Sequence, residues 1–205
     1  MIKFFVYLSI FSAVIPLATG ITAFNKITRN PSLLIIWLLI IVSFFTDITS
    51  NMLARVYGFN YWIINIYFLI ELVLLIMFYF LTLPFKKAVI FLGSILFIIL
   101  CIQLVDEGVH TRPNEYLIAN KMSQISFSLF FFYVLFERGT EVFIDKSPLF
   151  WINTGILFYF AGSLFTTVMA SEILSGPMPW LFHNIANTMK NTLIAIGLWK
   201  ARQTT

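Results

Sequence analysis

Seven apolar stretches, each near the length a helix needs to cross a ~30 Å hydrocarbon core, constrain this chain more than any other feature of its sequence. They fall at about 4–24, 33–56, 61–82, 88–105, 116–136, 149–171 and 180–199. The breaks between them hold Asn30-Pro31, Gly58, Pro84, Gly108 with Pro113, Pro148, and Gly176-Pro177 with Pro179, residues that end helices or turn the chain. The runs lack period-two alternation, and in lipid every backbone group needs a partner within its own segment, so each stretch predicts a helix. Only 11% of the 205 residues are charged, against about 25% for a soluble domain that must face water. The expected fold is therefore all-α: a polytopic bundle of seven transmembrane helices forming one domain over residues 1–205.

The basic residues set an orientation. Lys26, Arg29, Lys86, Lys87, Arg138, Lys146, Lys200 and Arg202 fall on one side, and Lys3, Arg55 and Arg112 on the other. The excess of Lys and Arg on cytoplasmic loops then puts the N-terminus outside and the C-terminus in the cytoplasm. Trp62 and Trp180 fall at outer ends, and Trp37, Trp151 and Trp199 at or near inner ends, where amphipathic rings anchor. This placement implies the cell membrane, with a bacterial inner membrane expected. The first stretch has a second reading as a signal peptide, with Lys3, an apolar run to Val14, then Pro16 and Ala18-Thr19-Gly20. Its continuation to Phe24 favours a span. Pro16 within it predicts a kink.

Polar residues inside the spans are few and occupy one depth. In the seventh stretch His183, Asn184, Asn187, Lys190 and Asn191 fall within about 120° of one another at 100° per residue. Further along, that face becomes Ile194, Gly197 and Leu198. Asp47, Asn51 and Arg55 form an i, i+4, i+8 stripe in the second stretch, above Ile36, Ile40 and Phe44. The third places Asn60, Tyr67 and Glu71 on one face, above Leu74, Leu75 and Phe78. Asn120, Lys121, Gln124 and Ser128 open the fifth, which turns apolar at Phe131 and Leu135, and Ser163, Thr166 and Thr167 lie in the outer part of the sixth. Ionisable side chains in a bilayer usually face a bundle interior or a cavity. The simplest arrangement is an outward-facing polar pocket above an apolar plug.

The expected ligand-binding set is Asp47, Asn51, Tyr67, Glu71, Lys121, Gln124, His183, Asn187, Lys190 and Asn191. Glu71 and Asp47 would anchor charge, Lys190 would oppose them, and His183, Asn187 and Asn191 would orient a ligand by hydrogen bonds. His183 is also a candidate proton switch. Asp47, Glu71, Lys121 and Lys190 sum to zero, so ion pairs among them would hold all four ionised. The plainer alternative is interhelical packing through polar side chains. It is favoured for the Ser and Thr residues, Asn65 and Asn153, while Lys121 and Arg55 have the further option of snorkelling.

Other chemistries fit poorly. A zinc hydrolase needs about three clustered ligands, and the chain has only His110 and His183. The acidic residues with His110 in the 106–115 region read as a solvated loop, so no metal site and no cofactor are expected. A serine nucleophile paired with a base has one weak candidate, Ser163 with His183. An aspartyl pair is missing, since Asp47 alone lies in a span. Lys190 with Glu71 looks like the lysine and counter-ion of a microbial rhodopsin, yet Ala186 stands one turn before the lysine, where that family usually has an acid. Cys101 is the single cysteine and closes no intrachain disulfide. Basic residues in ones and twos between apolar runs give no nucleic-acid footprint.

The run Phe150-Trp151-Ile152-Asn153-Thr154-Gly155-Ile156-Leu157-Phe158-Tyr159-Phe160-Ala161-Gly162, the segment Asn65-Ile66-Tyr67-Phe68-Leu69-Ile70-Glu71, and His183-Asn184-Ile185-Ala186-Asn187 with Asn191-Thr192-Leu193 resemble an uncharacterised family of bacterial seven-helix membrane proteins. The resemblance covers three of the seven stretches and implies a recurring seven-helix unit with Glu71, His183, Asn187 and Asn191 at family positions. It implies no activity. The function expected from the residues is a sensor or receptor-like protein that binds a small polar or amphipathic ligand and signals through a membrane or cytoplasmic partner, with membrane lipids around it. A transporter or channel for a small solute or ion, and a membrane-embedded lipid-processing enzyme, are the alternatives.

Overall fold

The computed structural model describes residues 2–111, 113–138, 144–172 and 178–203, with backbone alone at 2–3, 138, 170–172 and 178–180. Arg112, Gly176 and Pro177, and the side chains of Lys3, Arg138, Trp180 and Pro179, lie outside the described residues. Everything regular among the described residues is helical: α1 Ile2–Ser12, α2 Val14–Thr22, α3 Phe24–Ile27, α4 Pro31–Tyr57, α5 Tyr61–Thr82, α6 Lys86–Asp106, α7 Asn114–Arg138, α8 Pro148–Glu172 and α9 Met178–Gln203, with a 3₁₀ turn at Ile144–Lys146.

Local chemistry accounts for the ends. Asn30 caps α4 by accepting from the Ser32 amide at 3.1 Å, with Pro31 at the first helical position, where its missing N–H costs nothing. Gly58 ends α4 in the left-handed region at φ 78°, a conformation that glycine adopts without penalty. Leu83 is extended before Pro84, because the proline ring disfavours helix at the preceding residue. At the start of α7 the Tyr116 amide donates to the Gln103 side chain at 2.9 Å, so a side chain of α6 satisfies an otherwise orphaned donor.

The first stretch is not one continuous helix. It breaks at Ala13 and again at Ala23, and Pro16 explains the first break. Having no N–H, Pro16 leaves the Ser12 carbonyl without its helical partner, while the Ala13 amide shifts to Ile10 O at 3.3 Å.

Among the described residues five segments are long and apolar enough to cross a membrane: Phe4–Thr22, Pro31–Tyr57, Tyr61–Thr82, Lys86–Asp106 and Pro148–Met169. α7 and α9, of 25 and 26 residues, match them in length but carry more polar side chains. Large apolar residues such as Phe45, Val56, Phe91 and Val105 point outward, as in a surface that meets acyl chains rather than water.

The helices close a ring. α4 packs on α5, α5 on α6 and α7, α7 on α8, α8 on α9, and α9 on α1 and α2, which also touch α4. α6 stands outside it, packed mainly on α5 and α7. The α8–α9 pair is the most extensive contact, and small residues explain why. A Cβ at Gly155 would lie 3.1 Å from Lys190 O, one at Gly162 2.7 Å from Ala186 Cβ, and one at Gly197 2.8 Å from Pro148 O. Missing side chains let the two backbones approach, as membrane helices commonly do.

One end of the ring is filled by apolar side chains. Ile36, Ile40, Leu75, Phe78, Phe131, Ile152, Ile156, Ile194 and Leu198 belong to one buried cluster, against which Leu74 and Leu135 pack. These include most residues expected to form the plug.

Candidate functional site

The polar residues sit beyond this cluster, toward the end of the bundle where α4 meets α5. Asp47 lies ten residues from Tyr57, Glu71 ten from Tyr61, and Lys190 twelve from Met178. Those offsets correspond to ~15–18 Å of helical rise. Three helices thus bring an ionisable group to nearly the same level.

Glu71 is the best defined of them. It is 4% exposed and accepts a hydrogen bond from the Tyr67 hydroxyl at 2.7 Å. The spacing i, i+4 on α5 puts both side chains on one face, and Ser43 of α4 stands beside the Tyr67 hydroxyl. Lys190 reaches the same interior from α9. It is 6% exposed, and its Nζ lies 4.2 Å from the centre of the Tyr159 ring of α8, a cation–π geometry. Asp47, half-buried on α4, lies within electrostatic reach of both Lys190 and Glu71. Glu71 also feels Lys190 and Lys121 through space. Each of the two deepest charges therefore rests on an aromatic residue, and the charges act on one another at longer range.

The remaining expected residues have their own places. Lys121 is buried and donates to Ser163 O at 3.1 Å and to the Thr167 hydroxyl, joining α7 to α8. It points inward, so the snorkelling option does not describe it. Gln124 donates to Asn120 Oδ1 at 3.0 Å within α7, and its buried Oε1 meets no hydrogen-bond partner among the described residues. Asn51 donates to Asp47 O at 2.7 Å, back along its own helix. His183 is half-buried with its ring 5.8 Å from that of Tyr159. Asn187 and Asn191 form two rungs to the N-terminal helix, donating to Ser9 Oγ and Ser12 Oγ, both at 2.8 Å. The structure thus gathers Asp47, Tyr67, Glu71 and Lys190, with Lys121 and His183 adjoining. It engages Asn51, Gln124, Asn187 and Asn191 in helix-to-helix or local bonds.

Two features were not read in full from the sequence: one aromatic residue, and the partners of Asn153, for which only a packing role was expected. Tyr159 was not singled out, although it touches both Lys190 and His183; a polar-tipped ring in mid-span was the available signal. The second is a closed network in the apolar half. The Tyr79 and Ser128 hydroxyls are 2.6 Å apart, the Tyr79 hydroxyl donates to Asn153 Oδ1 at 3.0 Å, and Asn153 Nδ2 donates to Ser128 O at 3.0 Å. All three residues are fully buried, so this is a packing bolt across α5, α7 and α8.

Among the described residues no group of His, Cys, Asp or Glu is arranged to hold a metal ion. Comparison with models of protein families, with characterised proteins and with solved structures gives no significant match. The reading of the site therefore rests on its own chemistry.

Proposed function

We propose that the chain crosses a bacterial inner membrane seven times, N-terminus outside, and works as a receptor-like protein. It takes a small polar or amphipathic ligand from the outer side and hands the binding event to a partner protein. α7 and α9 would complete the count, their polar side chains turned into the ring and away from lipid. Support for the orientation comes from the distribution of Lys and Arg in the loops. Introducing single cysteines at Lys87 and Asp106 in a Cys101→Ser background tests it. An impermeant maleimide should label position 106 in intact cells and position 87 only after permeabilisation, and the reverse pattern would invert the topology.

The observation that carries the reading is the pair Glu71 and Lys190. Opposite charges from α5 and α9 share the ring interior, one held by the Tyr67 hydroxyl and the other by the Tyr159 ring. Burying charge is costly, and two such charges on aromatic supports form a natural cradle for a ligand with its own ionic ends. An ammonium would go to Glu71 and Asp47, and an acidic group to Lys190. The apolar cluster beneath favours binding over passage, because among the described residues that half is filled mainly by apolar side chains and the hydroxyl and amide groups of Tyr79, Ser128 and Asn153 within it bond to one another.

Thermal unfolding of the purified protein against a panel of small zwitterions and charged amphiphiles tests this. A ligand should raise the melting temperature of the wild type and lose that effect in Glu71→Gln and Lys190→Met. Equal shifts in wild type and both variants would remove the pocket. Solute flux into proteoliposomes that Glu71→Gln abolishes would make the protein a transporter instead.

A further inference from the structure

A second site lies on the outside of the bundle, on the groove between α5 and α6. Its volume is about 340 Å³, and Val73, Ile76, Met77, Ile90, Gly93 and Phe97 form its walls. Gly93 is its floor: a Cβ there would come within 2.9 Å of Ile76, so the missing side chain both seats α6 on α5 and leaves the hollow. The lining is apolar apart from Ser94, and Val73, Met77, Ile90 and Phe97 are exposed in the bundle.

One end of this groove is marked by charge. Ile90, Ser94 and Phe97 follow one face of α6, and the same face one turn earlier carries Lys86 and Lys87. Both lysines are exposed, and Lys86 Nζ lies 5.1 Å from the centre of the Phe80 ring, which continues the Val73–Met77 wall on α5. Among the described residues neither lysine is paired with an acid. They also occupy the first turn of α6, where the helix dipole adds positive potential.

We infer that this groove binds one anionic phospholipid from the leaflet at the lysine end, an acyl chain lying along Gly93 and the phosphate resting on Lys86 and Lys87. Apolar length with a cationic cap at one end matches a tail and an anionic headgroup in that order. A helix from a second copy would match only the apolar part. Basic clusters at a membrane surface attract anionic lipids in this way.

Native mass spectrometry of the full-length protein, released from micelles containing equal phosphatidylglycerol and phosphatidylcholine, tests the assignment. The wild type should retain phosphatidylglycerol over phosphatidylcholine by roughly tenfold, as two surface lysines allow. Lys86→Gln/Lys87→Gln should lose that preference, and Ser94→Phe, which fills the groove, should lose retention of either lipid. Circular dichroism melting confirms that each variant is folded. Equal retention of the two lipids by the wild type, an unchanged preference in the lysine variant, or unchanged retention in Ser94→Phe would each overturn the site. So would a dimer mass that Ser94→Phe abolishes, since a second copy would then occupy the groove.

Discussion

The Lys190 ammonium lies 4.2 Å from the centre of the Tyr159 ring, inside the α8–α9 seam. At that depth a cation has little water to turn to, and the ring face supplies negative potential in its place. A desolvated contact of this kind is worth about 2 kcal/mol. Tyr159→Phe keeps the face and should change unfolding free energy by less than about 0.5 kcal/mol, whereas Tyr159→Leu should cost about 2 kcal/mol or more. In a Lys190→Met background the gap between the two variants should shrink. A gap of the same size with and without the lysine, measured by unfolding in mixed micelles, would reduce the contact to ring packing.

The Tyr67–Glu71 hydrogen bond sets a different scale. A bond between neutral partners in a membrane contributes about 0.6 kcal/mol, and one to a charged group about 1.5–3 kcal/mol. Tyr67→Phe removes the donor at 2.7 Å with little change in volume. A double-mutant cycle with Glu71→Gln should give a coupling of about 1.5 kcal/mol or more, the mark of a carboxylate held charged in the ring. A coupling near 0.6 kcal/mol would place the pair with the packing bonds.

The all-helical class and the approximate ends of most helices were legible in the sequence, because each depends on a local signal. Asn30-Pro31, Gly58 and Pro84 act on their own backbone, and hydrophobic length fixes a span whatever its neighbours. The identity of neighbours was not legible. Asn187 and Asn191 read as pocket residues since they share a face with Lys190, but only the ring closure of α9 onto α1 shows that Ser9 and Ser12 take their amides. Arg55 and Asp47 share a stripe by spacing, and Arg55 is exposed, as its snorkelling option allows, while Asp47 is half-buried. The break at Ala13 was hidden in an unbroken apolar run, with Pro16 as its single sign.

Gly162 faces Ala186 so closely that an added Cβ would sit 2.7 Å from the alanine Cβ. Gly162→Ala should therefore push α8 from α9 and cost about 1–3 kcal/mol. Ala186→Gly in the same chain removes the clashing atom and should recover most of that loss. If the pair is no more stable than Gly162→Ala alone, the approach of the two helices is not set at this point.

Asn153 ties the Tyr79 hydroxyl to the Ser128 backbone within the apolar half. Asn153→Ala would leave both groups short of a partner in a dry interior, at about 1–3 kcal/mol. Because this network stands away from Glu71 and Lys190, the melting temperature should fall while any ligand-induced shift keeps its size. A lost shift in a folded Asn153→Ala protein would mean that the bolt and the polar site act as one unit.

The rungs from Asn187 to Ser9 and from Asn191 to Ser12 make a final prediction about the N-terminal segment. Each amide is buried at the α1–α9 contact, so a serine lost from α1 leaves a donor with no replacement. Ser9→Ala and Ser12→Ala should each cost about 0.6 kcal/mol, the usual value for such bonds in a membrane. The double variant should cost about their sum unless the Ser12 hydroxyl bond to Ser9 O at 2.6 Å couples them. Deleting residues 2–22 should cost far more, because it strips both rungs and opens the ring between α4 and α9. Urea or SDS unfolding of the three proteins distinguishes these cases. A deletion that unfolds with the wild-type midpoint would show that α9 needs no partner on that side, and the closed ring would lose its first helix.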